Sequence, residues 1–322
     1  MSVVLFHLGG VGLPKLGSPL IARLTSWGWT GVEVFFVISG FVIPFVMMKG
    51  DYHWRDGGNF LVRRFVRIWP PSAILIALTV AQYAVIDSMR VADLGGMTKF
   101  SAGSIVANLF YVTPYTDYGW LNGILWTLLV EFQFYLFLAL VFPLLSAHRA
   151  WLATAGAASV LTALLPIPAT ALFLKFAIYF AMGGVALLYR ERHIKRATML
   201  ILLAVMALAA GIGIGWLPSD FAVGTALVIA LVPIRSRLFV FLGKISYSLY
   251  LVHVLAASTA EYLFVLAVHP TGPIERFAGQ LVCLAAAIVS AWIFYLLVER
   301  YFVDWSQRLA HPKALLARGE AE

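Results

Sequence analysis

Apolar runs of about twenty residues recur along this chain from its first residues to nearly its last, and no other feature restricts its fold so sharply. A helix needs about 20 such residues to cross the ~30 Å hydrocarbon layer of a bilayer. Hydrophobic residues fill 62% of the 322 positions and charged residues only 12%, against the roughly 25% charged residues of a soluble domain. A soluble core cannot absorb that much apolar surface, so lipid is the solvent. The chain reads as an all-α, polytopic integral membrane bundle of about ten transmembrane helices.

The runs give a fragment at 1–8, then spans near 31–48, 68–87, 121–146, 151–170, 173–189, 198–217, 220–234, 242–267 and 279–299. With the N-terminus placed in the cytoplasm, the inward loops hold Lys49, Arg55, Arg63, Arg64, Arg67, Arg149, Arg190, Arg192, Lys195, Arg196, Arg235, Arg237 and Lys244. The tail adds Arg300, Arg308, Lys313 and Arg318, so 17 of the 23 Lys and Arg face inward, while Lys15, Arg23, Arg90, Lys99, Lys175 and Arg276 face outward or sit at outward span ends. That excess orients the chain by the positive-inside rule and puts both termini in the cytoplasm. Eight helical residues rise only about 12 Å, so the first helix is truncated and the crossing expected there implies further chain upstream of Met1. The expected organisation is one transmembrane domain over 1–300, followed by a short basic cytoplasmic tail over 301–322.

The formal charge of +8 comes from short loops rather than a continuous basic stripe, which argues against a nucleic-acid partner. A single cysteine, Cys283, lies inside an apolar run, which leaves no disulfide framework and no thiol metal site. No metal site is expected. Any chemistry must then happen in or beside the membrane.

An ionisable side chain inside a span costs roughly 2.5–3.5 kcal/mol on insertion scales, so each one calls for a reason. His7 ends the first fragment, just before a loop containing Gly9, Gly10 and Gly12. It is either an interfacial histidine open to water or a general base for a hydroxyl nucleophile. Glu33 enters the second span early, in Gly31-Val32-Glu33-Val34-Phe35-Phe36. It either rests among head groups or fixes the tautomer of His7 across the first hairpin. Glu131 lies mid-span in Trp126-Thr127-Leu128-Leu129-Val130-Glu131-Phe132-Gln133-Phe134-Tyr135, where it is a structural partner for a buried polar group or part of a cavity wall. His253 is comparably deep, in Ser246-Tyr247-Ser248-Leu249-Tyr250-Leu251-Val252-His253, where hydrogen bonding between helices is the simplest role. Arg64 and Arg67, three apart in Arg63-Arg64-Phe65-Val66-Arg67-Ile68-Trp69-Pro70, share a helix face at the entrance to the third span. They are topology anchors or a pair of guanidinium forks for phosphate.

Taken in order, His7, the run Phe35-Phe36-Val37-Ile38-Ser39-Gly40-Phe41, the Arg64 to Pro70 run, Trp126 to Tyr135 and Ser246 to His253 resemble the membrane-bound acyltransferase 3 family of bacterial O-acyltransferases. The resemblance runs from the first residues to about Glu299. It implies transfer of an acetyl or similar short acyl group from cytoplasmic acyl-CoA to a hydroxyl of a cell-surface glycan or glycosylated metabolite, in the bacterial inner membrane. Acyl-CoA, acetyl-CoA first, is then the donor substrate, and no bound cofactor is expected. The resemblance assigns an essential role to His7 and donor handling to Arg64 and Arg67. With Glu33 as a catalytic partner, the cavity wall falls to Ser39, Trp126, Glu131, Tyr135, Tyr247 and His253. Two differences stand out: an arginine that family members carry several turns upstream of the histidine has no counterpart after Met1, and a common Glu-Arg-Pro ending is Glu299-Arg300-Tyr301. The alternative class is a proton-coupled secondary transporter, since buried His and Glu can relay protons. Neither an inverted repeat nor a matched pair of broken helices supports it.

Overall fold

The computed structural model describes residues 1–11, 13, 15–88, 101–147, 149–168, 172–233 and 237–309. Gly12, Arg90, Lys99, Arg235, Lys313 and Arg318, which enter the topology argument, lie outside the described residues.

The helices are α1 Ser2–Phe6, α2 Pro19–Thr25, α3 Gly31–Lys49, α4 Gly57–Ser88, α5 Ala102–Leu109, α6 Leu125–Ala147 and α7 Arg149–Leu164. They continue with α8 Leu172–Arg190, α9 Arg196–Gly213, α10 Trp216–Leu231, α11 Arg237–Val268, α12 Pro273–Phe294 and α13 Arg300–Arg308. Two π-turns interrupt them, His7–Val11 after α1 and Tyr295–Glu299 after α12. No strand occurs among the described residues. Among the described residues, seven helical stretches are long and apolar enough to cross a membrane, and α7 and α10 are shorter apolar helices. The protein is therefore an all-α multi-pass membrane bundle.

Solvation by lipid is visible in which residues lie outside. On α9 the exposed Ile201, Val205, Leu208 and Ile212 recur at spacings of four, three and four, while Met199, Leu203, Met206 and Ala210 are buried. In water such a stripe would be a liability; in hydrocarbon it is the solvent-facing side.

Span boundaries agree closely for α3 and α8. By contrast, α7 stops at Leu164 rather than 170, just before Pro166 and Pro168. Proline removes a backbone donor and restricts the residue ahead of it. Helix α4 starts at Gly57, eleven residues ahead of the expected 68. Helical hydrogen bonding does not end where hydrocarbon does, so Arg64 and Arg67 sit two to three turns inside α4 rather than at its entrance. The beginning of the expected tail is also helical, as α13.

The chain divides into two compact units. Unit 1 comprises Met1–Gly28, Val62–Leu128 and Arg237–Glu322; unit 2 comprises Trp29–Leu61 and Leu129–Ser236. In unit 1, α11 and α12 pack along a stripe of small residues on α12, with Gly279, Cys283, Ala287 and Ala291 all buried. Helices α4 and α11 run in the same direction. Tyr247 Oη donates to Ile68 O at 2.8 Å, and further along Gln82 Nε2 donates to Thr259 Oγ1 at 2.7 Å. Helix α5 ends beside the middle of α4, where Trp69 Nε1 donates to Leu109 O at 2.8 Å and the hydroxyls of Ser72 and Tyr111 share a short hydrogen bond. That level lies about 24 Å short of the far end of α4 at 1.5 Å per residue, so the chain between α5 and α6 re-enters the depth of the bundle. Irregular backbone at such depth has to be enclosed by protein or line a watery cavity.

In unit 2, α3 and α8 approach at backbone distance. A Cβ on Gly183 would lie 2.1 Å from Val37 O, and one on Gly40 would lie 2.0 Å from Phe180 O. Only glycine permits that separation. Above it, Phe36 stacks on Phe180 with ring centroids 4.8 Å apart, and Phe134 meets the same ring at 4.1 Å.

Candidate active site

In unit 1 the first π-turn and α11 bring two imidazoles together. His253 Nε2 stands 3.2 Å from His7 Nδ1, with ring centroids 5.0 Å apart and planes at 58°. Sequence separation hides this pair, since the two histidines are 246 positions apart. Its protonation pattern follows from the partners. His253 Nδ1 lies 2.8 Å from Tyr250 O and 3.1 Å from Leu249 O, and carbonyls only accept. The His253 proton is therefore on Nδ1, and its Nε2 presents a lone pair to His7. On His7, Nδ1 lies 2.9 Å from Val3 O, so that nitrogen carries the proton and shares it between Val3 O and His253 Nε2. His7 Nε2 is left with a free lone pair, the form a general base requires. Phe6 packs its ring edge against His7 at 5.3 Å, and His253 is only 1% exposed. His7 is the first residue of the π-turn that follows α1, and π-bulges recur at functional sites.

Tyr250, one turn before His253, shares a hydrogen bond with Thr127 Oγ1 at 2.6 Å, which ties the start of α6 to α11. Half-buried Trp126 stands at that junction. Arg64 is half-buried and Arg67 exposed on α4. Tyr247, hydrogen-bonded to the carbonyl of the residue after Arg67, fixes α11 against this part of α4. From Tyr247 to His253 is six residues, a rise of about 9 Å along α11. Unit 1 thus contains the arginine pair, Tyr247, Trp126 and both histidines.

Unit 2 holds the other expected residues. Glu33 is 3% exposed on α3. Its Oε2 and the hydroxyl of the fully buried Tyr179 on α8 have no hydrogen-bond partner among the described residues. The expected partnership of Glu33 with His7 is not a contact within either unit. Ser39 is buried on the same helix. Glu131 accepts a short hydrogen bond from Tyr135 Oη one turn on, and Phe60 packs its ring edge-on to Tyr135 at 6.1 Å.

Two buried polar residues, Glu261 and Gln280, escaped sequence reasoning, and a third, Glu299, entered it only as part of the chain's Glu299-Arg300-Tyr301 ending. Glu261, inside the apolar run of α11, was open to the same cost argument that picked out Glu131. Gln280 on α12 gives no such signal, because an uncharged amide does not stand out in a span. Glu299, 2% exposed in the second π-turn, accepts from both the backbone N–H and the hydroxyl of Ser248 and lies close enough to Arg67 for their charges to attract. Among the described residues, no group of three or more His, Cys, Asp or Glu is arranged to hold a metal ion.

Comparison with known proteins adds an independent line. The family described as "Acyltransferase domain" matches residues 1–296. "Putative membrane-bound transacylase BcsY" of Komagataeibacter xylinus is 27% identical over 99% of this chain and 83% of its own length. "Nodulation protein 10" of Rhizobium leguminosarum bv. viciae is 31% identical over 38% of this chain. "O-acetyltransferase OatA" of Staphylococcus aureus (strain NCTC 8325 / PS 47) is 29% identical over 46% of it. The chain spans 34% and 24% of the lengths of these last two relatives. No solved structure matches the chain.

Proposed function

We infer the activity from one premise: this chain belongs to the acyltransferase-domain family that its residues 1–296 match. It is a membrane-embedded acyltransferase, and the transporter alternative falls away. Within that class, we propose that it moves an acetyl or similarly short acyl group from acyl-CoA to a hydroxyl of a cell-surface glycan or glycosylated metabolite. The membrane is then the bacterial inner membrane, with both termini in the cytoplasm. The word "O-acetyltransferase" in one relative's name supports the acetyl group and the oxygen acceptor.

The observation that carries the mechanism is the pair of contacts at His7 Nδ1, 2.9 Å from Val3 O and 3.2 Å from His253 Nε2. With Nδ1–H held by Val3 O and His253 Nε2, the free Nε2 takes the proton of an acceptor hydroxyl. The oxygen bonds to the acyl carbon, the carbon–sulfur bond breaks, and the thiolate of CoA leaves and recovers the proton from the imidazolium. Arg64 and Arg67 are the groups suited to the phosphates of the donor, since planar guanidinium forks bind them bidentately. The rise of about 9 Å between the Tyr247 and His253 levels of α11 is well within reach of an extended pantetheine arm.

The test uses inverted membrane vesicles supplied with [14C]acetyl-CoA, together with mass spectra of glycans from cells with and without the gene. Label and an added acyl mass on a glycan are the expected result. His7→Ala should abolish both while the protein stays in the membrane fraction. Undiminished transfer by His7→Ala would remove the proposed base.

A further inference from the structure

Beyond the imidazole pair, the chain past the π-turn is buried at Leu13 and Leu16 although both lie outside any helix. Leu13 and Leu16 are 1% and 0% exposed, and Leu8 beside His7 is 4% exposed. Buried irregular backbone needs partners for its N–H and C=O groups, because unpaired polar groups are costly away from water. Two side chains from neighbouring helices of unit 1 supply them. Glu261 Oε1, on α11, accepts from the backbone N–H of Lys15 at 2.8 Å and of Leu16 at 2.9 Å. Gln280 Nε2, on α12, donates to Leu8 O at 3.3 Å and Leu16 O at 3.2 Å.

Each of these four hydrogen bonds ends on the backbone of this segment. Gln280 thereby joins the carbonyl next to His7 to a carbonyl eight residues on. Its own Oε1 is buried without a partner among the described residues. A buried bare carbonyl is unfavourable, so the amide is held in place by what its nitrogen does. The neighbouring Gly279 makes room: a Cβ there would lie 2.8 Å from Leu16 Cδ1 and 2.9 Å from Leu16 Cδ2. Gly9 does the same on the opposite side, where a Cβ would meet Thr25 Oγ1 at 2.0 Å and push α2 off the π-turn. Helix α11 presents His253 to His7 and, eight residues on, Glu261 to the loop, so one rigid element sets both ends of the segment.

We propose that Glu261 and Gln280 are positioning residues for His7: they hold the backbone at Leu8, Lys15 and Leu16 so that the imidazole is kept against His253 with Nε2 aimed at the acceptor hydroxyl. This rests on the reading of His7 as the base. A displacement of about 1 Å at a catalytic group can lower the rate about a hundredfold. The effect should therefore appear in kcat and leave donor binding alone.

The experiment compares Glu261→Leu, Glu261→Gln, Gln280→Leu and Gly279→Ala with His7→Ala in the full chain, in inverted vesicles supplied with [14C]acetyl-CoA. The leucine variants and Gly279→Ala should lose about ten- to a hundredfold in kcat with KM for acetyl-CoA nearly constant. Glu261→Gln keeps an oxygen facing both N–H groups and should retain most of the activity. Equal losses in Glu261→Leu and Glu261→Gln would overturn the proposal, as would a kcat within twofold of the parent for Gln280→Leu or Gly279→Ala. Should a leucine variant vanish from the membrane fraction, Glu261→Gln and Gly279→Ala decide alone, since each retains a hydrogen-bonding set close to the native one. If His7→Ala remains active, the base assignment fails instead. If the parent chain transfers no label, the donor assignment fails, and the same variants are ranked by glycan acyl content in cells.

Discussion

Replacing His253 by alanine tests whether the imidazole pair does chemistry or only packs. The structure gives His253 one directed contact beyond its own helix, a lone pair 3.2 Å from the Nδ1–H of His7. When His7 takes a proton at Nε2, its ring becomes a cation and that contact becomes a charge-assisted hydrogen bond, worth about 1.5–3 kcal/mol. The contact is stronger in the transition state than in the resting enzyme, so its loss falls on kcat. At 1.36 kcal/mol per factor of ten, His253→Ala should lower kcat about ten- to a hundredfold. KM for the donor should hardly move. His253→Gln, whose amide oxygen can accept from the same N–H, should recover most of the loss and separates this effect from the cavity that alanine leaves. The assay is initial-rate transfer of label from [14C]acetyl-CoA to glycan in inverted vesicles, normalised to protein in the membrane fraction. A His253→Ala chain with unchanged kcat, beside an inactive His7→Ala chain, would refute the argument and leave His253 as a packing residue.

Other outcomes follow from the same geometry. Arg64→Ala with Arg67→Ala should raise KM for acetyl-CoA tenfold or more, since charge-assisted bonds of about 1.5–3 kcal/mol are lost, and an unchanged KM would leave the arginines as topology anchors. Gly183→Ala places a Cβ 2.1 Å from Val37 O and should destabilise the packing of α3 on α8 by roughly 1–3 kcal/mol. Thermal unfolding in detergent reads that loss, and an unaltered midpoint would contradict the close approach. Glu33→Gln removes the ionisable character of a buried carboxylate whose Oε2 is unpartnered among the described residues. It should raise thermal stability while lowering transfer, a pattern of functional rather than structural residues; loss of stability together with activity would assign Glu33 to packing.

Much of this architecture was legible from hydropathy alone, because lipid leaves the backbone so few choices. Helices α3 and α8 fall within a residue of their expected limits. The start of α4 was not legible, since composition marks where hydrocarbon begins and not where helical hydrogen bonding begins. His7 and His253 were each recognisable as polar intruders, but which residue faces which depends on helix rotation and on a π-turn that no apolar period encodes. Helix α5 shows the same limit: eight residues are too few for a span, and only Trp69 and Ser72 reveal that it re-enters the bundle. Gln280 was invisible because its importance lies in two backbone carbonyls that the loop presents only once folded.

Buried carboxylates can be sorted by what already occupies their oxygens, and the sorting separates scaffold from chemistry. A carboxylate taken out of water persists only where donors or cations compensate it. Glu261 receives two backbone N–H groups, and Glu299 receives the N–H and hydroxyl of Ser248 beside the charge of Arg67; both are engaged in holding polypeptide in place. Glu131 is taken by Tyr135 one turn away. Glu33 differs, because one of its oxygens and the hydroxyl of Tyr179 both lie buried with capacity unused among the described residues. Evolution tolerates that cost where a substrate or a proton completes the set during turnover. Glu33 is therefore the carboxylate this sorting singles out, and substitution there should separate activity from stability where substitution at Glu261 or Glu299 cannot.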